Sequence, residues 1–215
     1  MKTVTTFLFI LFIILISPLV HAELPTIPSA GKTTASFIPK DWKLKQKVTG
    51  DLNKDGLSDA ALLLDAPLNA QGEGGPRILV ILFADPNGFK LSTADDTLEI
   101  CATCGGMLGD PLQKFAIERG ALVIDVYGGS RDRWGYTFRF RWQNNDWYLI
   151  GLTQLTADNL ELTSQTIDAN WSTGNIEITD MKQDNETKRK LTKKLPALKL
   201  KESTYEKINA VLGVL

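Results

Sequence analysis

The chain has 215 residues, with 24 Lys and Arg against 25 Asp and Glu, one histidine and two cysteines. A formal charge of −1 offers no basic excess for bulk nucleic-acid or membrane binding. The single histidine, His21, lies in an N-terminal leader. Once that leader is removed, Ser-His-Asp and Cys-His pairs, His zinc sites and His-ligated haem are excluded.

Met1 to Ala22 combines Lys2, an apolar run from Phe7 to Val20 and the small-residue ending Val20-His21-Ala22, the pattern of a secretory signal peptide. The run is short for a membrane span, which needs about 20 apolar residues, and no second run of spanning length follows. Cleavage is expected near Glu23, giving an exported protein, periplasmic or secreted, with no stable membrane insertion. About 193 residues then remain, enough for one domain of ordinary size. Losing Lys2 takes the basic count from 24 to 23 against 25 acidic residues, a formal charge of −2. Residues 23–36, rich in Pro, Thr, Ser and Gly, read as an extended lead-in, and residues 37–215 as a single mainly β domain with a basic C-terminal segment.

Trp42 to Val48 alternates apolar and polar residues as a strand does. Directly after it comes Gly50-Asp51-Leu52-Asn53-Lys54-Asp55-Gly56-Leu57-Ser58-Asp59. A hard cation such as Ca²⁺ takes several oxygen ligands, and a loop with side-chain oxygens at positions 1, 3 and 5 can wrap one. Asp51, Asn53 and Asp55 fill those positions, Gly56 supplies the sharp turn at position 6, the carbonyl of Leu57 follows as a backbone ligand, and Asp59 stands at position 9. Position 12, where an EF-hand carries Glu, is Leu62, and the strand-like flanks also argue against an EF-hand. Asp and Asn beside glycine also form plain Asx-turns at hairpins. The alternating oxygens, the sixth-place glycine and the ninth-place carboxylate together favour a metal loop.

A D-x-N-x-D-G-x-x-D loop between strands resembles the calcium loop of the FG-GAP and VCBS repeats, found in integrin α propellers and many secreted bacterial proteins. The likeness covers Gly50 to about Leu64, in one copy, which does not support a complete multi-blade propeller. It implies bound Ca²⁺ and no particular activity.

Arg77 to Phe83 is a continuous apolar run, as in a strand buried on both faces. Asp85-Pro86-Asn87-Gly88 is a turn signal, and Phe89 to Ser92 begins the return. Further strand-like segments are Leu98–Ile100, Lys114–Ile117, Ala121–Tyr127, Tyr136–Trp142, Trp147–Gln154, Leu160–Ile167 and Asn175–Asp180. The expected fold class is mainly β, a meander of antiparallel hairpins with one inter-strand calcium loop and a short C-terminal helix. The clearest hairpin turns through Gln143-Asn144-Asn145-Asp146. Ser203 to Leu212 reads as the helix, with Ser203 as N-cap and Glu206 three residues later. Lys182 to Lys201 carries eight Lys or Arg against Asp184 and Glu186, a solvated edge or tail.

Two further stretches bear chemistry. Cys101 and Cys104, followed by Gly105-Gly106, read as a local disulfide; the same spacing also occurs in thiol-disulfide enzymes, which place it at a helix start. In Tyr127-Gly128-Gly129-Ser130-Arg131-Asp132-Arg133-Trp134-Gly135, the residues Arg131, Arg133 and Trp134 could hold a planar anion or a sugar, or simply close a hairpin. These stretches, with Asn145 to Gly151, are similar to those of a widespread set of exported bacterial proteins that also carry the D-x-N-x-D-G loop. No catalytic motif accompanies them. The expectation is a binding module with an unknown protein or glycan partner and no nucleic acid, with a periplasmic thiol-disulfide protein or a calcium-supported carbohydrate binder as the alternatives.

Overall fold

The computed structural model describes residues 25–68, 74–98 and 100–213. The signal peptide expected over residues 1–22, with His21, lies outside them. Among the described residues the fold is mainly β, two antiparallel sheets and a single short α-helix. The first sheet contains β1 (Ala30–Gly31), β2 (Lys43–Gly50), β3 (Asp59–Asp65), β4 (Arg77–Asp85) and β5 (Gly88–Asp95), in the order β1-β5-β4-β3-β2. The second contains β6 (Leu112–Glu118), β7 (Ala121–Gly129), β8 (Asp132–Gln143), β9 (Asp146–Asp158), β10 (Thr163–Asn170), β11 (Asn175–Lys182) and β12 (Asn185–Thr192), side by side in chain order. Helix α1 (Tyr205–Leu212) follows.

The unbroken apolar runs of β3 and β4 have a direct cause: both faces of the first sheet are covered. Ala61, Leu63, Leu79 and Ile81 point into a cluster shared with Leu122, Phe138, Phe140 and Leu152 of the second sheet. Ala60, Leu62, Leu64, Ile78, Val80 and Leu82 point the other way and are covered by Phe37, with Ile27, Ile38 and Trp42 beside it. The lead-in is therefore part of the packing: Ile27 packs on this face, Ala30 and Gly31 pair with Lys90 and Phe89, and Phe37, the residue just after it, is fully buried. Strands of the second sheet alternate instead. Tyr136, Phe138 and Phe140 face the core while Arg139 and Arg141 face out.

The sheets meet edge to edge and face to face. Gln46 of β2 donates to the Phe115 carbonyl of β6 at 3.3 Å, and the Trp147 indole N–H donates to Ser92 Oγ at 2.9 Å across the interior. Asn144 and Asn145 take φ of 51° and 57°, as a two-residue turn of type I′ demands, so the expected β8–β9 hairpin forms.

Three expectations change. Leu98 and Ile100 lie outside any strand, with Glu99 outside the described residues; both are buried, a pattern that the side chains alone cannot distinguish from a strand. Leu160–Leu162 is a turn with Leu162 at φ 52°, and β10 starts at Thr163. The helix N-cap is Thr204, whose Oγ1 accepts from Lys207 N at 3.2 Å, while Ser203 turns back to the Lys199 carbonyl at 2.8 Å. Of the basic stretch, Asn185–Thr192 is an edge strand. Among the described residues no helix is long and apolar enough to cross a membrane.

Candidate functional site

The loop between β2 and β3 is pinned at one point and built on side-chain caps elsewhere. Leu52 is buried in the shared core, while Asp51, Asp55 and Gly56 are exposed. Asp51 accepts from Lys54 N at 2.6 Å and Gly56 N at 3.1 Å, Asn53 from Asp55 N at 2.9 Å, and Asp55 from Leu57 N at 2.8 Å. Gly56 sits at φ 85° with nothing near the place of a Cβ, so the backbone conformation, not lack of space, calls for glycine there.

Asp59 differs from the others: it is fully buried. One carboxylate oxygen accepts from Leu52 N at 2.8 Å and Asn53 N at 3.2 Å, and the other from Ala84 N on β4 at 2.8 Å. Burial pushes its pKa above the ordinary carboxylate value; the three amides pull it down, and the nearby charge of Asp55 pushes it further up. Among the described residues no Lys or Arg makes an ion pair with Asp51, Asp55 or Asp59.

The donor set suits a hard cation, being oxygen throughout. A carboxylate has about four acceptor sites, so the amide bonds leave capacity on Asp51, Asp55 and Asp59. The side chains are nonetheless satisfied by backbone amides of the loop and, for Asp59, of β4, and among the described residues no group of three or more His, Cys, Asp and Glu is gathered for a metal.

Cys101 and Cys104 form a disulfide. A thioredoxin-type pair draws its low thiol pKa from a helix N-terminus, whereas the chain here continues only into a 3-10 turn over Gly106–Leu108. The disulfide loop rests on the end of β7: Gly129 N donates to the Gly105 carbonyl at 3.0 Å, and a Cβ on Gly128 would meet the Trp134 indole at 2.5 Å and Gly105 Cα at 2.9 Å. The two glycine pairs thus serve one close packing contact. Replacing both cysteines by Ser should cost about 2 kcal/mol, the entropy of closing so short a loop, read from urea unfolding with and without reductant; an unchanged midpoint would contradict this.

Arg133 and Trp134 both line a shallow groove of about 650 Å³, together with Asp158, the ion-pair partner of Arg131. Arg131 forks onto Asp158, with Nη2 to Oδ2 at 2.7 Å, and this pairing, with the amides of Glu161 and Leu160, holds the Asp158 pKa down at about 2. Arg133 donates to the Gly129 carbonyl at 2.8 Å. Trp134 also lines an apolar cleft of about 320 Å³ with Cys104, Tyr136 and Tyr205.

One cluster had no signal in the sequence. Arg77, buried at the start of β4, donates from Nε to Asp65 at 2.6 Å and bidentately to Asp110 at 2.6 and 2.7 Å. Lys45 reaches Asp110 at 2.7 Å. Burial pushes Asp110 up, but Arg77, Lys45 and the Leu112 amide outweigh it and hold its pKa far below the usual carboxylate range. The cluster ties the segment after the disulfide loop to the first sheet. Compared with protein-family models, curated proteins and solved structures, the chain matches none.

Proposed function

We propose that this chain is an exported calcium-binding interaction module of the FG-GAP/VCBS loop type, periplasmic or secreted, whose β2–β3 loop holds one Ca²⁺ through Asp51, Asn53, Asp55, the Leu57 carbonyl and Asp59. The observation that carries the reading is the unpaired negative charge of the loop: three carboxylates lie within nine residues beside one lysine, Lys54, one of the three is buried and raised in pKa partly by another, and none is in an ion pair among the described residues. A divalent cation would supply the missing positive charge. It would also draw the caps of a two-strand connection onto one point, bracing β2 against β3. Catalysis is not part of the proposal, since no catalytic motif accompanies the loop.

The test is calorimetric titration of Ca²⁺ into the metal-stripped protein beside Asp55→Ala. Saturable one-site binding lost in the variant, with a higher melting temperature for the loaded protein by linkage, is the expected result. No heat at millimolar Ca²⁺ would reduce the loop to a turn.

A further inference from the structure

The outer face of the seven-stranded sheet is hollow at one end. The β8–β9 register slips between Arg139 and Phe140, inserting Ile150 as an extra residue on β9, and such a bulge bends a sheet locally. Across the bend runs one register row: Val123 faces Arg139, Arg139 faces Gly151, Gly151 faces Asn170, Asn170 faces Asn175, and Asn175 faces Thr192. Gly151 leaves the middle of that row without a side chain. The result is a groove of about 1390 Å³.

Its charges are unevenly spent. Arg119, Arg139 and Arg141 line it; Arg139 donates to Thr153 Oγ1 at 3.2 Å, and the guanidinium groups of Arg119 and Arg141 make no hydrogen bond or ion pair among the described residues. Of the acids there, Glu177 is held by Lys190 at 2.9 Å and Glu118 by Lys114 with weaker attraction from Arg139 and Arg119, leaving Asp168 with a long 3.5 Å bond from Thr153. Arg77, Arg131 and Arg189, outside the groove, each have a carboxylate partner. Three guanidinium groups therefore share the groove with one carboxylate outside any ion pair, Asp168, across a concave floor with Val123 and Ile150.

We propose that this groove binds an extended acidic peptide. Guanidinium forks pair bidentately with carboxylates, and the apolar floor suits the aliphatic side chains between them. The lining has no Phe, Tyr or Trp on which a sugar ring would stack. From β7 to β12 the groove crosses five strand spacings, roughly 24 Å, which an extended peptide covers in about seven residues. The proposal names the partner class of the interaction module and does not depend on the metal loop.

The probe is a fluorescent Glu-Val repeat of about eight residues, with a Lys-Val repeat as control, titrated with the purified protein at low and high salt and followed by anisotropy. Saturable binding of the acidic repeat alone is expected, weakened at least about tenfold by salt and by Arg139→Gln/Arg141→Gln. Gly151→Val tests the same groove by obstruction, should the double variant fail to fold. Its Cβ would lie 3.4 Å from Arg139 Cδ, so the sheet has room for it. No saturable binding at millimolar protein, or equal affinity in folded variants, overturns the proposal, as does a uronate polymer that binds with the same sensitivity where the peptide does not. Equal affinity for wild type and Asp55→Ala in chelator is expected, which keeps failure of the groove separate from failure of the loop.

Discussion

Asp59→Ala is expected to lower the unfolding free energy by about 4 kcal/mol in the presence of chelator, the largest effect of any single change in the loop. Three backbone N–H groups end on this carboxylate, and a buried donor left without an acceptor costs about 1–3 kcal/mol. The total is held down because burial already disfavours the charged form of Asp59. The loss should appear as a lower urea midpoint at constant slope, and Asp59→Asn, which keeps one acceptor oxygen, should lose less. Asp55→Ala, exposed and bonded only within the loop, should leave the chelator melt nearly unchanged. If Asp59→Ala were costly only with Ca²⁺ present, the carboxylate would be a ligand first and a strut second.

The second large effect lies at Arg77. Arg77→Met is expected to cost about 3 kcal/mol, the low end for one partner of a buried ion pair, because Asp65 and Asp110 retain some access to water. For a chain of this size that is a fall in melting temperature of roughly 6–12 °C. Removing the bidentate partners together, Arg77→Met with Asp110→Leu, should recover part of the loss, since the carboxylate that faced both guanidinium nitrogens is gone and the charges that remain, Asp65 and Lys45, reach water; a double variant worse than the single would refute the account. The same cluster sets an acid limit. Asp110 has a depressed folded-state pKa, so its contribution is complete above the unfolded carboxylate value near 4. It fades as pH falls from there toward the folded value. Urea midpoints measured downward from about pH 5 should fall less steeply for Asp110→Asn than for the wild type.

These two residues also mark where sequence reading succeeds and stops. Asp59 is legible as the ninth position of a loop pattern, because loop chemistry is local. That it holds the Ala84 amide on β4 is not, because nothing near residue 59 encodes it. Arg77 and Asp110 stand 33 positions apart, and neither has a neighbour that announces the pair. Alternation made β7, β8 and β9 legible, and the apolar run made β4 so. β12 was hidden for the opposite reason: Asn185 to Lys190 are all exposed, so backbone pairing to β11 defines the strand and no side-chain pattern does. The groove is a product of register and one bulge, which composition does not carry.

Every strand from β2 to β5, and from β6 to β12, pairs with its neighbour in sequence; β1 is the exception, waiting for β5. Hairpins of that kind zip up locally and early. The segment bearing Phe37 can complete its docking only after Phe89 and Lys90 are in place, although it precedes them in the chain. For that interval Leu62, Leu64, Val80 and Leu82 form a bare apolar face, the kind of surface on which folding intermediates associate. The N-terminal segment is thus expected to dock only after the β4–β5 hairpin has formed, and its docking is what covers that face.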